Sequence, residues 1–337
     1  MTGFPLWISE AEVADLLNLS DAIEALEGGL RRQAAGAARN MSKTHLTWGE
    51  GDTLHAIGAV FDDAGVVGAK TWAHTPGGAT PLLVLWDAHT GALMAVIEAF
   101  ALGQMRTGAM SGVATRWMSD PDAEVFALFG TGKQALAQLA AVAAVRPLKT
   151  VRIWGRDAGR RAQLVTAASR LGYGFTIETP AAVAEAADGA GVVTLATRAR
   201  DPFFTAAMAA PGAHINAIGA ITPEREEFTS DVLNRATLIA ADDPAAARRL
   251  SKEFGDYFAG DEAGWTRIRP IAELVGAGGR SAVSDLSVFK AMGMGVSDLA
   301  LGLEVHMRAV DAGCGRPLDP PRKVAPRLQA PLHEELC

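Results

Sequence analysis

Cysteine is nearly absent: the 337 residues hold only two, Cys314 and Cys337. That argues against a disulfide framework and places the chain in a reducing compartment, the cytoplasm. The opening stretch MTGFPLWISEAEV lacks a basic segment followed by an apolar core, so no secretory leader is expected. No apolar run approaches the ~18 residues of a membrane span. Basic runs of five are missing and the net charge is −7, so nucleic acid is not an expected partner. The seven histidines are scattered, none with a His or Cys at ligand spacing, so no metal site is expected.

What is present is a core. Apolar residues make up 49% and charged residues 20%, enough to fold into two domains at about 100–200 residues each. Ser9 and Glu12 form a capping-box pattern at the start of a helix. A second helix is expected with Ser20 as cap and Gly36 beyond its end. TLHAIGAVF, GVVGAKTW and PLLVLWDAHTGALMAVIEA then read as a meander of strands, Asp87 and Gly91 supplying turn chemistry. FALGQMRTGAMSGVATRWM is a small-residue-rich helix, and SDPDAE marks a domain boundary. From Val125 short apolar strands alternate with helices, the signature of an α/β, doubly wound parallel sheet. After about Gly279 the chain is expected to leave that pattern, ending in a helix capped by Ser297 and an irregular Pro-rich tail.

The clearest motif is Gly130-x-Gly132-x-x-Ala135 between the strand VFALF and a helix. The first glycine permits the tight turn and the second lets backbone approach a pyrophosphate. The small third residue allows close packing, and the helix N-terminus faces the phosphates. The second strand ends in Gly155 and Arg156, with Arg160 and Arg161 beyond. An acid there would hold a ribose 2′-hydroxyl; glycine leaves room for a 2′-phosphate, which arginines pair with. NADP(H) is therefore the preferred cofactor. Asp157 keeps NAD(H) open.

Three cations stand out. Arg106 shares a helix face with Leu102, Ala109, Met110, Val113 and Trp117, where it needs an anion: a structural acid such as Glu98, which the pattern favours, or a substrate carboxylate. Lys70 lies among apolar residues of a strand, either buried or at a solvated edge. Lys43 reads as exposed. Asp298 opens the last helix, where an acid complements the dipole.

In this order, GVVGAK, LWDAHTGALMAVIEAFALGQMRTGAMSG, GTGKQA, NAIGAITPEREEF and SVFKAMGMGVSDLA resemble the ornithine cyclodeaminase/μ-crystallin family. The resemblance implies a Rossmann domain, residues 120–296, that binds a nicotinamide cofactor. It implies a second α+β domain, residues 1–119 with 297–337, that binds substrate and forms a homodimer through its sheet. Lys70 and Arg106 fall on the family's carboxylate-binding positions. A further family arginine has no clean match: Lys43 fits best, Arg39 next. Asp298 matches an acid near the nicotinamide. The expected cofactor contacts are Thr107, Gly130, Thr131, Gly132, Lys133, Gln134, Ala135, Gly155, Arg156, Asp157, Arg160, Thr197 and Gly219.

Cyclodeaminases of this family carry an aspartate just after the glycine pair of the IGA strand. Ile221 stands there and moves no proton. The resemblance then implies an NAD(P)H-dependent reductase of a small imino acid, or the reverse amino acid dehydrogenation, with Lys70 and Arg106 as catalytic groups and Ile221 as substrate-pocket wall. A cyclodeaminase with bound NAD and a non-enzymatic ligand binder like μ-crystallin remain the alternatives.

Overall fold

The computed structural model describes residues 4–279 and 284–329; Cys337 lies outside them, and Cys314 is a half-buried free thiol. The Ser9–Glu12 capping box forms as expected and opens the helix Glu10–Leu16. The next helix, Leu19–Ala34, is capped by Asn18 rather than Ser20. Asn18 Oδ1 accepts from the Asp21 amide at 3.0 Å, so helical geometry begins before Ser20 is reached. Gly36 follows in the left-handed region, φ 76°.

The first sheet runs Arg316–Pro317, Leu6–Ile8, Leu93–Glu98, Leu82–Asp87, Val66–Thr75, Asp52–Phe61 and Ala38–Asn40, with Thr44–Trp48 added to Asp52–Phe61. Two pieces differ from expectation. Leu6–Ile8 is a strand, parallel to Leu93–Glu98. The Pro-rich tail is not irregular from its start, because Arg316–Pro317 covers the open edge of that strand and Leu318 N donates to Pro5 O at 2.7 Å. The turn at Asp87 is as expected: Oδ1 accepts from the amides of His89 and Thr90.

One face of this sheet is covered by Leu19–Ala34, Phe100–Met118 and Gly295–Ala312. Ile23, Leu26, Leu83, Leu85, Val113 and Leu299 share one buried cluster there. The last helix lies close because of two glycines: a Cβ at Gly295 would strike the backbone of Gly58, and one at Gly302 the side chain of Leu83. Its cap is Met294, not Ser297. The free Val296 amide is taken by Asn40 Oδ1 at 2.8 Å, while the Ser297 hydroxyl donates back to Met294 O. A side chain from a distant strand thus replaces the local cap.

The second sheet is parallel throughout, in the order Thr176–Glu178, Thr150–Trp154, Val125–Phe129, Val192–Leu195, Ala213–Ala217, Leu286–Lys290, Leu238–Ala241, Ile268–Pro270. This is the doubly wound sheet expected, reversing its order of addition beside Val125–Phe129, where such sheets bind ligands. The pattern does not end near Gly279: Leu286–Lys290 is an interior strand, fully buried between Ala213–Ala217 and Leu238–Ala241. Its Ser287 and Lys290 disguise it, and both are satisfied inside the protein.

A polar seam joins the sheets. Asn216 donates to Thr115 Oγ1 at 2.9 Å and Ser287 to Met118 O at 3.1 Å. The C-terminal half of Phe100–Met118 is thereby fixed to the parallel sheet, while its N-terminal half reaches the strand that carries Lys70. Among the described residues no helix is long and apolar enough to cross a membrane, and no group of three or more His, Cys, Asp or Glu is placed to hold a metal.

Candidate active site

Lys70 sits in the interior strand Val66–Thr75, paired on both sides, and is only 4% exposed. It is the buried lysine, not an edge lysine. Its Nζ donates to Asp298 Oδ1 at 2.5 Å. Burial is the largest influence on its ammonium and pushes its pKa down to about 8; Arg106 and Lys43 act the same way, while Asp298 opposes. Arg106, on Phe100–Met118, brings Nε to 3.4 Å from the same oxygen. Glu98, the structural partner the helix pattern favoured, is instead occupied by Trp7 Nε1 and the Glu10 amide. Asp298 therefore does more than complement a helix dipole: it holds two cations from two other elements. Two cations against one carboxylate leave one positive charge. Arg106 Nε and Asp298 Oδ2 are buried without a hydrogen-bond partner, so the cluster has polar capacity to spare.

This cluster opens into a cavity of about 210 Å³ whose lining includes Lys70, Trp72, Phe100, Arg106, Lys133 and Gln134. Lys133 and Gln134 belong to the glycine-rich loop. Gly130 has φ 117°, and a Cβ there would collide with the Ala196 carbonyl, so only glycine fits. A Cβ on Gly132 would meet nothing within 4 Å. That glycine keeps open the space a pyrophosphate would take. The helix Ala135–Ala143 has no side-chain cap, and Gln134 Oε1 is buried without a partner. The Ala135 amide turns back to Gly132 O at 3.0 Å, but no side chain blocks this helix start, where an anion can sit, and the loop fits a dinucleotide. Thr107 is tied into the same region: its hydroxyl donates to Gly103 O, and its carbonyl accepts from Gln138 Nε2 at 3.2 Å.

At the second strand's tip the geometry alters one argument. A Cβ on Gly155 would lie 2.9 Å from Thr131 Cγ2. The space beside Gly155 is filled by the glycine loop's own threonine, so this glycine serves packing. Asp157 caps the helix Ala158–Ser169, accepting from the Arg160 amide at 2.9 Å. Arg161 donates to the Gly155 carbonyl. Arg156 and Arg160 are exposed.

A model of the Ornithine cyclodeaminase/mu-crystallin family matches residues 6–313. The chain belongs to that family. Among its relatives are an alanine dehydrogenase of Archaeoglobus fulgidus, 26% identical over 92% of this chain and 97% of the relative, and a Delta(1)-pyrroline-2-carboxylate reductase of Bacillus cereus, 26% identical over 93% and 99%. Among solved structures, an archaeal alanine dehydrogenase dimer with bound NAD superimposes with a TM-score of 0.85 at 26% identity, covering 94% of this chain and 99% of that one.

Within this family fold the IGA rim is built by residues the sequence did not single out. Glu227, fully buried, accepts from Thr197 N at 2.6 Å, Thr197 Oγ1 at 2.7 Å, Gly219 N at 2.9 Å and Ala220 N at 3.1 Å. Lys290 donates to Ala220 O at 2.6 Å and to Glu253 Oε2 at 2.8 Å. Burial pushes the Glu227 carboxyl up, against the pull of Lys290 and the Thr197 donors. Gly219 is obligatory, since a Cβ would strike the Thr197 carbonyl. Thr197 and Gly219 are thus both held by Glu227. The signals in the sequence were Lys290 inside LSVFKAM and the acid pair in EREEF.

Ile221 follows the Gly219–Ala220 rim directly. It is half-buried against the apolar cluster of the parallel sheet, and it lines neither the cavity beside Lys70 nor the groove at the second strand's tip. Lys43 and Arg39 separate clearly. Arg39 is bound to Asp62 on an exposed edge. Lys43 is half-buried rather than exposed; burial, then the charge of Arg106, presses its pKa down, and Asp298 is among the groups opposing. Of the two, it is Lys43 whose ammonium feels the charges of Arg106 and Asp298.

Proposed function

We propose that this chain is an NAD(P)H-dependent reductase of a small imino acid, working in reverse as an amino acid dehydrogenase. The observation that carries the reading is the shared cavity: Lys70 and Arg106 open into the same space as Lys133 and Gln134 of the glycine loop. A carboxylate clamp and a dinucleotide cradle meet there.

The glycine loop and the uncapped start of Ala135–Ala143 would hold the cofactor's pyrophosphate, with Thr197 and Gly219 near its nicotinamide end. Bound there, the cofactor supplies a hydride to the C=N carbon or takes one from the amine carbon. The residues do the rest. Arg106 and Lys70 bind the carboxylate against the single net positive charge they share with Asp298. Lys43 adds a third contact from the sheet side. Lys70, with a pKa of about 8, holds its proton below that pH and can release it to the imine nitrogen, or recover it in reverse. The apolar walls, Trp72 and Phe100, exclude water.

NADPH is the preferred cofactor in this reading. Asp157, the nearest acid to the second strand's tip, is engaged in capping its own helix. Exposed Leu46, Trp48 and Leu54 on the antiparallel sheet support a homodimer through that face.

The test is direct. The protein is mixed with NADPH or NADH and a panel of cyclic imino acids, or 2-oxo acids with an amine. Net cofactor oxidation is expected. Ammonia release from ornithine or lysine without net cofactor change would overturn the reading, as would binding without turnover.

A further inference from the structure

A groove of about 530 Å³ lies at the tips of the second and fourth strands of the parallel sheet. One wall is Trp154 and Arg156. The other is the loop after Val192–Leu195, with Arg198, Arg200, Asp201 and Phe203. The rings of Trp154 and Phe203 stack at 5.8 Å and 23°, giving the groove an aromatic patch.

The arginines around this tip divide into two sets. Arg152 is bound to Glu178, and Arg161 to the Gly155 carbonyl. Arg156, Arg198 and Arg200 make no hydrogen bond or ion pair among the described residues. All three free arginines line the groove, where Asp201 is the single acid. Three positive charges less one negative leave a surplus of two. Arg225, behind the loop, is crowded as well: burial, then the charge of Arg198, pushes its pKa down, and Arg200 adds to the effect. Glu224 and Glu227 offset part of this at Arg225, and Glu224 also attracts Arg200; the groove itself keeps its positive surplus, which favours an anion there.

We propose that Arg198 and Arg200, on the loop after the fourth strand, close with Arg156 on a phosphomonoester carried by the adenosine end of the cofactor. The clamp is two-sided. Arg156 comes from the second strand's tip, and the other two face it across the groove. A phosphomonoester carries close to two negative charges above its second pKa of ~6, which matches the surplus. Its three terminal oxygens can each accept from a guanidinium. This rests on the reading of the chain as an NADPH user and assigns most of that choice to residues outside the second-strand tip.

Binding of NADPH and NADH to the intact protein, followed by calorimetry without substrate, tests it. The wild type is expected to bind NADPH at least ~10-fold more tightly than NADH. Arg198→Ala and Arg200→Ala should each weaken NADPH by about tenfold, the scale of a charge-assisted contact, and leave NADH within about twofold. Adenosine 2′,5′-bisphosphate should follow NADPH, and 5′-AMP should follow NADH. Thermal melting of each variant should match the wild type, since both side chains are exposed. A wild type with no preference for NADPH would overturn both the cofactor reading and the clamp. Retained NADPH preference in both variants, with loss only in Arg156→Ala, would overturn the clamp alone. Equal loss of NADPH and NADH would assign these arginines to the shared adenosine and overturn it too.

Discussion

Lys70 and Asp298 are 228 positions apart, yet form a buried ion pair at 2.5 Å with 4% and 1% of their side chains exposed. The lysine comes from a strand and the acid from the first turn of the last helix. Arg106, on a third element, shares the same carboxylate oxygen. A site built this way is sensitive to pH, to charge and to the seating of one helix.

The lysine sets a pH limit. Its folded pKa, about 8, lies below the ordinary 10.5. With Lys70 as the proposed proton donor, reduction uses the protonated form, so kcat/KM for imine reduction should fall above about pH 8, and the oxidative direction should rise through the same range. Asp298 raises the lysine's pKa, so Asp298→Asn should move both breaks to lower pH. A pH–rate profile of the variant with its break unmoved would remove Lys70 as the titrating group. The linked stability has a definite sign. The unfolded lysine binds its proton more tightly, so this group's contribution to stability is poorest below about pH 8 and improves toward pH 10.5.

Arg106→Ala should lower kcat/KM by about 10²-fold, the scale of losing one partner of a desolvated charge pair. Folding should survive, because the guanidinium is 20% exposed and Asp298 keeps Lys70. Near-normal turnover with a natively folded variant would displace the carboxylate from this position.

Gly130→Ala should fail in two ways. It places a Cβ at φ 117° and against the Ala196 carbonyl, at a cost of about 1–3 kcal/mol, and it distorts the pyrophosphate cradle. Both Tm and cofactor affinity should drop, and Gly132→Ala should spare Tm while weakening the cofactor. Equal melting temperatures for wild type and Gly130→Ala would contradict the first part.

Ile221→Asp should not create a deaminase. The side chain packs on an apolar cluster, so the acid costs about 1–3 kcal/mol of stability and reaches no substrate amine. Ammonia release from ornithine by this variant would show that the residue faces the cavity after all.

Much of the fold was legible because it rests on local rules. Gly130-x-Gly132-x-x-Ala135 needs only a strand, a turn and a helix, and Asp87 needs only its own turn. The misreadings share a cause: long-range satisfaction. Ser297 looks like a cap until Asn40 arrives from another element and takes the Val296 amide. Leu286–Lys290 looks unlike an interior strand until Glu253 and the Ala220 carbonyl absorb Lys290. Glu227 was invisible because its meaning lies in four donors on residues 197, 219 and 220. For the candidate site, Lys70 and Arg106 stand out as cations among apolar residues, and the resemblance supplies their role. The resemblance also placed Asp298 near the nicotinamide, but its pairing with both cations joins three separate elements and was not legible.

The seating of the last helix on Gly295 and Gly302 has a consequence for synthesis. On the ribosome, the strands carrying Lys70, Leu83 and Leu85 emerge more than 200 positions before the helix that covers them. The entire parallel sheet is made in between. The nascent antiparallel sheet must therefore wait with the part of its apolar face under the last helix uncovered and a lysine without its acid. Chaperone demand should be greatest in that interval, and the Lys70–Arg106–Asp298 cluster is complete only once the last helix has been made.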